Sequence, residues 1–374
     1  MKWKFNTNSK AKKQKSAFIE WRDSIVFAVV VATLIRWSAV EAFVVPTGSM
    51  ENTIMPGDFL FVSKLHYGSR TPATLLQIPL THQKIWGTEI PSYLPWIELP
   101  TYRFPGFSKI KREDVIVFNV PPVSQNEGVK YPMDLKTYYV KRCVGIAGDQ
   151  LEIRNKEIFV NGQPLSHPEY MKFSYILFAK DEISKRNLTG FGFSQDDHIF
   201  LGRSNENYAV YQMYLTEKQA GKIKVAPYIV SMEENMASRD NTDARIFPSS
   251  TYSPWNRDNY GSITIPSQGM TIAINDSTLA FYGEIIKDYE HNNNVEISES
   301  KLKIEGKEII EYTFRQNYYF MMGDNRHNSE DSRYWGFVPE DHIVGKPMFV
   351  WMSVDDHANL LHKIRWNRLF TTIK

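Results

Sequence analysis

The sequence predicts a mainly β protein, on two observations. Short apolar runs bounded by Gly, Pro, Asn and Asp recur without the strand–helix–strand alternation of a parallel sheet. Aromatic residues reach 14%, with 9 Trp, 20 Tyr and 22 Phe, a content that suits β structure or a surface meeting a membrane. The 374 residues allow two or three domains at about 150 residues each. Hydrophobic residues at 42% and charged residues at 23% exclude a disordered, collagenous or polytopic membrane chain. A net charge of +2 argues against nucleic acid as the main partner. The single Cys143 excludes an internal disulfide and a cysteine-based zinc cluster. His357 and His362 are five apart with no third ligand, so no metal and no cofactor is expected.

The first element is apolar. Lys2, Lys4, Lys10, Lys12, Lys13, Lys15 and Arg22 precede the run Ile25–Ile35, against Glu20. As a helix this run spans about 16 Å at 1.5 Å per residue, short of the roughly 30 Å of a bilayer core. Extension from Trp21 to Val40 nearly closes the gap if Arg36 snorkels, with Trp21 and Trp37 as interfacial anchors. The basic flank then places the N-terminus inside. A cleaved secretory signal ending near Val40-Glu41-Ala42 and a buried valine-rich strand are the alternatives.

The remaining elements follow in order. Pro46, Gly48, Pro56 and Gly57 forbid a helix between Phe43 and Asp58. Phe59–Val62, Val115–Val120 and Thr137–Gly145 read as strands, and residues 69–112 as an extended, proline- and aromatic-rich insertion that could lie against lipid. Gln150–Pro164 reads as a hairpin with turns at Asn155-Lys156 and Asn161-Gly162. Residues 166–310 carry weak signals: a capping box at Thr216 and Gln219, a helix over Ser277–Glu290, and a polar loop over 232–262. Tyr318–Met322 and Phe349–Val354 are strands, and the tail from Ile364 is basic and aromatic.

Three segments carry chemistry. Pro46-Thr47-Gly48-Ser49-Met50 offers a serine on an extended chain; it is either a turn residue or a nucleophile needing a base. No histidine is flanked as a triad histidine would be. Tyr138-Tyr139-Val140-Lys141-Arg142-Cys143-Val144-Gly145 puts a lysine inside an apolar strand, sharing a face with Tyr139 and Cys143. Lys141 either snorkels at a sheet edge or is buried. Burial lowers its pKa from about 10.4 and leaves an amine able to deprotonate a serine. The third segment, Gly323 to Pro339, is dense in Asp, Asn, Arg and Ser between two apolar strands, as a fixed hydrogen-bonded turn would be.

Together these segments resemble the boxes of bacterial type I signal peptidase, the serine–lysine dyad family. That family shows Ile-Pro-Ser-Gly before its serine, then Tyr-Ile-Lys-Arg-x-Val-Gly-x-x-Gly-Asp, then Gly-Asp-Asn-Arg-x-x-Ser-x-Asp-Ser-Arg-x-Trp-Gly-x-Val-Pro. This chain carries all three in order, with GDFLFVSKLHYG at 57–68 and DVIVF at 114–118. The matches cover roughly residues 17–68, 111–165 and 315–350. The resemblance implies a signal-peptidase-like antiparallel β catalytic core behind one N-terminal transmembrane helix. It implies Ser49 as nucleophile, Lys141 as general base, and an oxyanion hole from the Ser49 N–H and the Thr47 hydroxyl. Ser329 would orient the lysine, Asp331 and Arg333 would form a supporting ion pair, and Arg142 matches the arginine after the base. Val45, Met50, Tyr139 and Val140 would shape the substrate site. Asn52 stands where the family usually has Pro, Glu113 where it has Gly and Ala147 where it has Pro. Long insertions such as 69–110 and 166–310 are familiar from Bacteroidetes-like members.

The expected organisation is a cytoplasmic basic tail (1–20), an anchor (21–40), a catalytic β core (41–165 plus 311–354), an inserted cap (166–310) and a basic aromatic tail (355–374). The expected partners are signal peptides of secreted preproteins and the lipid bilayer, at the cytoplasmic (inner) membrane with the catalytic domain on the outer, periplasmic face. A self-cleaving repressor-like serine–lysine protease, which would carry DNA-binding helices, fits poorly with the expected membrane anchor and the near-even charge balance. An inactive peptide-binding β protein would lack Ser49 or Lys141, and both are present.

Overall fold

The computed structural model describes residues 16–373 apart from 75–76, 79–80, 191–192, 194–196, 299, 356–357 and 360–362. The lysines before Ala17, and His357 and His362, lie outside the described residues.

The apolar run is helical, not a buried strand. Helix α1 (Ala17–Ser38) buries none of its residues. Its bounds differ from the expected 21–40, and among the described residues no helix is long and apolar enough to cross a membrane. Charge at both ends is the reason. Arg22 and Asp23 pair at 2.8 Å in the first turns, and Arg36 pairs with Glu41 at 2.6 Å beyond the last.

Strand β1 (Val40–Val44) follows at once and pairs antiparallel with β2 (Asp58–Ser63), Val44 opposite Phe59. Strand β3 (Val115–Asn119) is buried throughout, and it pairs with β4 (Tyr138–Gly145), Ile116 opposite Lys141. The hairpin β5 (Gln150–Arg154), β6 (Glu157–Val160) and β7 (Gln163–Pro164) turns where expected, with Asn155, Lys156 and Asn161 at positive φ. Asn tolerates that region because its short side chain bonds locally.

Residues 166–310 are more ordered than their sequence signals suggest. Strands β8 (Lys172–Ala179), β9 (His198–Arg203), β10 (Ala209–Thr216) and β11 (Ile229–Glu234) form a sheet in the order β11-β8-β10-β9. Helix α2 (Lys185–Gly190) lies between β8 and β9 in the chain. Helix α3 (Glu217–Lys224) starts with the expected Thr216–Gln219 capping box. Leu177, Met213, Leu215 and Ile223 give this unit its own core. The next elements pack elsewhere. Strand β12 (Tyr260–Thr264) extends the β5–β7 sheet. Strand β13 (Thr271–Ala273), helix α4 (Asp276–Asp288), the small sheet β14 (Val295–Ser298), β15 (Lys301–Ile304) and β16 (Lys307–Ile309), and β17 (Glu311–Thr313) lead back to the core. Ile153, Ile263, Ile286, Phe314 and Phe320 share one cluster, so this half of the stretch packs with the hairpin and with β18.

Strand β18 (Tyr318–Met322), helix α5 (Ser332–Trp335), strand β19 (Val338–Pro339) and strand β20 (Ile343–Ser353) complete a seven-stranded sheet, β1-β2-β20-β3-β4-β18-β19. Strand β18 pairs only with Arg142–Gly145 of β4. The first half of β4 therefore has one unpaired edge, and β1 is an edge strand. The described residues of insertion 69–112 contain isolated bridges but no strand, and the insertion exposes Trp86, Trp96 and Phe107. The C-terminal tail folds back on the sheet, where Arg368 pairs with buried Asp58.

Glu113, at the expected Gly position, has φ 72. Its main chain is held from both sides: its N–H donates to Cys143 O at 2.7 Å, and its carbonyl accepts from Arg142 Nη1 at 2.7 Å. A residue with a Cβ costs about 1 kcal/mol or more in this conformation, and glycine removes the penalty. Glu113→Gly is expected to raise the unfolding free energy by about 1 kcal/mol in urea titrations; a lower midpoint would show that the exposed Glu113 side chain matters more than its strain.

Candidate active site

The segment between β1 and β2 is pinned at both ends. Val45 N–H donates to Asp58 O at 2.9 Å, and Gly57 N–H to Val45 O at 2.8 Å. Within it Gly48–Met50 form a single 3-10 turn, closed by Glu51 N–H donating to Gly48 O at 3.0 Å. The turn aims Ser49 and Met50 in different directions. Met50, expected at the substrate site, is wholly buried and packs with Val45, Ile54 and Leu60. Asn52 has φ 71, which proline's fixed φ near −65° cannot adopt, so the departure at this position follows from the local backbone.

Lys141 reaches the turn from β4. Its Nζ is hydrogen-bonded to Ser49 Oγ at 2.6 Å and lies 5.2 Å from the ring centre of Tyr139. Lys141 is 4% exposed and Ser49 8%. Burial pushes the lysine pKa down from its ordinary 10.5 to about 8, against the pull of Asp331, Asp324 and Glu330. Desolvation therefore outweighs the three carboxylates, whose charges act from a distance or are spent on other cations.

The polar turn after β18 supplies those partners. Asp331 caps α5 and pairs bidentately with Arg333, Nε to Oδ1 at 2.9 Å and Nη2 to Oδ2 at 2.8 Å. Both are almost wholly buried. Burial would raise the Asp331 pKa, but the Arg333 guanidinium holds it below the usual carboxylate range. Arg142 makes a second bidentate pair with Asp324, at 2.7 Å on each arm, and Thr53 Oγ1 donates to the same carboxylate at 2.6 Å. Sequence reasoning named Arg142 but missed Asp324; its signal was the Gly-Asp-Asn-Arg run itself. It also missed Asn325, whose N–H donates to Ser49 O at 3.0 Å. These bonds tie the Ser49 turn to the third segment.

Gly323 shows how close that tie is. A Cβ there would stand 2.3 Å from Ser329 Oγ and 2.5 Å from Ser49 O, so no side chain fits. The buried Ser329 hydroxyl makes no hydrogen bond among the described residues. A cleft of about 750 Å³ opens over the pair, lined by Val45, Thr47, Ser49, Tyr139, Val140, Lys141 and Ser329. The structure thus gathers all of these expected residues around one hollow, with Asp331, Arg333 and Arg142 buried behind it.

The family described as Signal peptidase, peptidase S26, matches residues 18–246 and 263–352. The chain belongs to this family. Signal peptidase I of Buchnera aphidicola is 25% identical over 347 residues, which is 92% of this chain and 78% of that protein. Signal peptidase I of Helicobacter pylori is 24% identical over 372 residues, 94% of this chain and 91% of its own length. Signal peptidase I of Haemophilus influenzae is 25% identical over 356 residues, 95% and 76% respectively. The S26 match runs through much of 166–310, where no correspondence could be assigned from motifs.

Gly323→Ala is expected to lower kcat/KM of this S26 peptidase by about 10²-fold or more, since a methyl group must push Ser329 or the Ser49 carbonyl aside. Cleavage assays on the folded variant check this. Activity within a few-fold of the parent would mean that the turn yields at no catalytic cost.

Proposed function

We propose that the chain removes N-terminal signal peptides from secreted preproteins, with Ser49 as nucleophile and Lys141 as general base. The observation that carries the reading is a buried amine 2.6 Å from a buried hydroxyl at the floor of an open cleft. A lysine near pKa 8 is substantially neutral at mildly alkaline pH, so it can take the Ser49 proton as Oγ attacks the scissile carbonyl. The Ser49 N–H and the Thr47 hydroxyl at the cleft are suited to hold the oxyanion. The ammonium of Lys141 then protonates the leaving amine, giving an acyl-enzyme on Ser49. Water, deprotonated by the same amine, releases the signal peptide. Ser329, whose buried hydroxyl has no hydrogen-bond partner among the described residues, is suited to orient the amine.

The substrate would bind extended. Strand β1 and the first half of β4 each leave a free edge, and Phe43–Ser49 and Thr137–Lys141 both line the cleft. A peptide added there gains main-chain hydrogen bonds, while Val45, Tyr139 and Val140 offer a shallow apolar wall for small residues before the cut. Small side chains at the last and third-last signal-peptide positions suit such a wall. The exposed apolar surface of α1, with Phe18, Trp21 and Phe27 outward, is suited to hold the body at the cytoplasmic membrane. With the N-terminus inside, as its basic flank implies, the catalytic sheet would sit on the outer side, where preproteins emerge. Trp86, Trp96 and Phe107 add aromatic surface that a lipid interface would accept.

Incubation of the detergent-solubilised protein with a preprotein, followed by sequencing of the product's new N-terminus, tests the reading; cleavage after a small residue is expected. Ser49→Ala and Lys141→Ala should each abolish cleavage while the protein stays folded, and full activity in either would remove the dyad. The base must be neutral to work, so kcat/KM should fall as pH drops below about 8 and level off above it. A profile still rising toward the ordinary lysine range would contradict the desolvated amine. The stability sign is fixed as well. A lowered lysine pKa penalises the folded state at pH below about 8 and ceases to do so above the unfolded value of 10.5, so Lys141→Met should stabilise the protein at pH 7 more than at pH 10.5.

A further inference from the structure

Lys172, the first residue of β8, is 0% exposed. A buried ammonium is tolerated only when it is paired, and Lys172 has two carboxylates around it. Its Nζ lies 3.2 Å from Glu51 Oε2 and is hydrogen-bonded to Asp197 Oδ1. Both acids are almost wholly buried. Glu51 is two residues past Ser49 and closes the 3-10 turn through its own N–H. Its carboxylate passes 3.3 Å from the point where a Cβ on Gly48 would stand, so it lies against the turn that carries the nucleophile.

The main chain of Lys172 grips the other half of the site. Its N–H donates to Asp324 O at 2.9 Å, and its carbonyl accepts from Arg326 N–H at 2.9 Å. That clamp centres on Asn325, which in turn donates to Ser49 O and, through Nδ2 at 3.3 Å, to Gly48 O. Two residues along the same strand, Ser174 donates N–H at 3.1 Å to His327 Nδ1, and His327 Nε2 stands 2.6 Å from Asp258. Strand β8 thus meets both the nucleophile turn and the segment behind it, although it lies in a stretch with no motif.

We infer that Lys172 is a positioning residue for the cleavage reaction: through its ion pair with Glu51 it fixes the turn that presents Ser49 to Lys141. The inference rests on the serine–lysine reading above. Bending the turn away from the amine would slow chemistry without weakening the cleft's hold on the peptide. A displacement on the order of 1 Å is enough for about a 10²-fold loss.

Four variants, Glu51→Gln, Asp197→Asn, Lys172→Met and Lys172→Met with Glu51→Gln, test it on the full-length protein with a preprotein substrate. Glu51→Gln keeps Lys172 paired with Asp197 and nearly preserves shape; kcat is expected to fall about tenfold or more while KM changes by less than about threefold. Asp197→Asn removes the other carboxylate, which belongs to a different segment of the chain from Ser49 and Glu51. It is expected to lower the melting temperature while leaving kcat within about threefold of the parent. Lys172→Met combined with Glu51→Gln should be no slower than the worse single variant, because both break one link. Full kcat in Glu51→Gln, or losses in both carboxylate variants that simply track melting temperature, would reduce Lys172 to an ordinary core ion pair. Ser49→Ala run alongside separates the two ideas. If it is inactive and Glu51→Gln is unimpaired, only this inference fails; if it is active, the dyad itself fails.

Discussion

An amine kept out of water beside a hydroxyl is the condition on which the site depends. A lysine in solvent is charged at neutral pH and can accept no proton. Holding Lys141 at 4% exposure lowers its pKa to about 8, so that a useful fraction is neutral at mildly alkaline pH, and the same side chain places Nζ 2.6 Å from Ser49 Oγ. Each unit of pKa depression corresponds to about 1.4 kcal/mol of differential interaction. The fold must therefore contain enough favourable packing and pairing to offset several kcal/mol lost at one side chain. The buried strands β3 and β18 on either side of β4 are where that packing is concentrated.

The surrounding charges are arranged so that they do not undo the effect. A free carboxylate near Lys141 would draw its proton back and restore an ordinary ammonium. Asp331 is committed to Arg333, and Asp324 to Arg142 and Thr53, each through short hydrogen bonds. Buried pairs of this kind contribute modestly to stability, because desolvation takes back much of the Coulombic gain. Their larger effect is geometric: Asp331 fixes Gly323 through its N–H at 3.1 Å, and Gly323 is where Ser329 and the Ser49 carbonyl come together.

The catalytic strands were legible because local pattern and tertiary environment agree. The apolar run of β3 and the Asn-Lys and Asn-Gly turns of the hairpin carry their structure in their own residues. The 3-10 turn at Ser49 was legible only as a prohibition, since Pro and Gly exclude a helix without specifying what replaces it. Met50 shows the limit of reading by adjacency: one step along a tight turn swings a side chain from cleft to core. The strands β8 to β11 escaped notice because they are stabilised by each other across long sequence separations. Segments such as KFSYILFA suit a strand or a buried helix equally until a partner is known.

The sequence by itself determined which groups are available: a serine on a rigid extended segment, a lysine within an apolar strand, and a polar box with paired acids and bases. It also determined that the N-terminal run would end in charges, which is why α1 falls short of a membrane span by its apolarity. Only the tertiary structure decided that Arg142 pairs with Asp324, that Gly323 has no room for a side chain, and that Lys172 from the inserted stretch lies beneath Glu51. Those facts depend on contacts between residues far apart in the chain, such as Arg142 with Asp324, Glu51 with Lys172 and Ser49 with Gly323. Local propensity acts over a few residues, whereas burial and charge pairing act through space, so only the folded chain can set them.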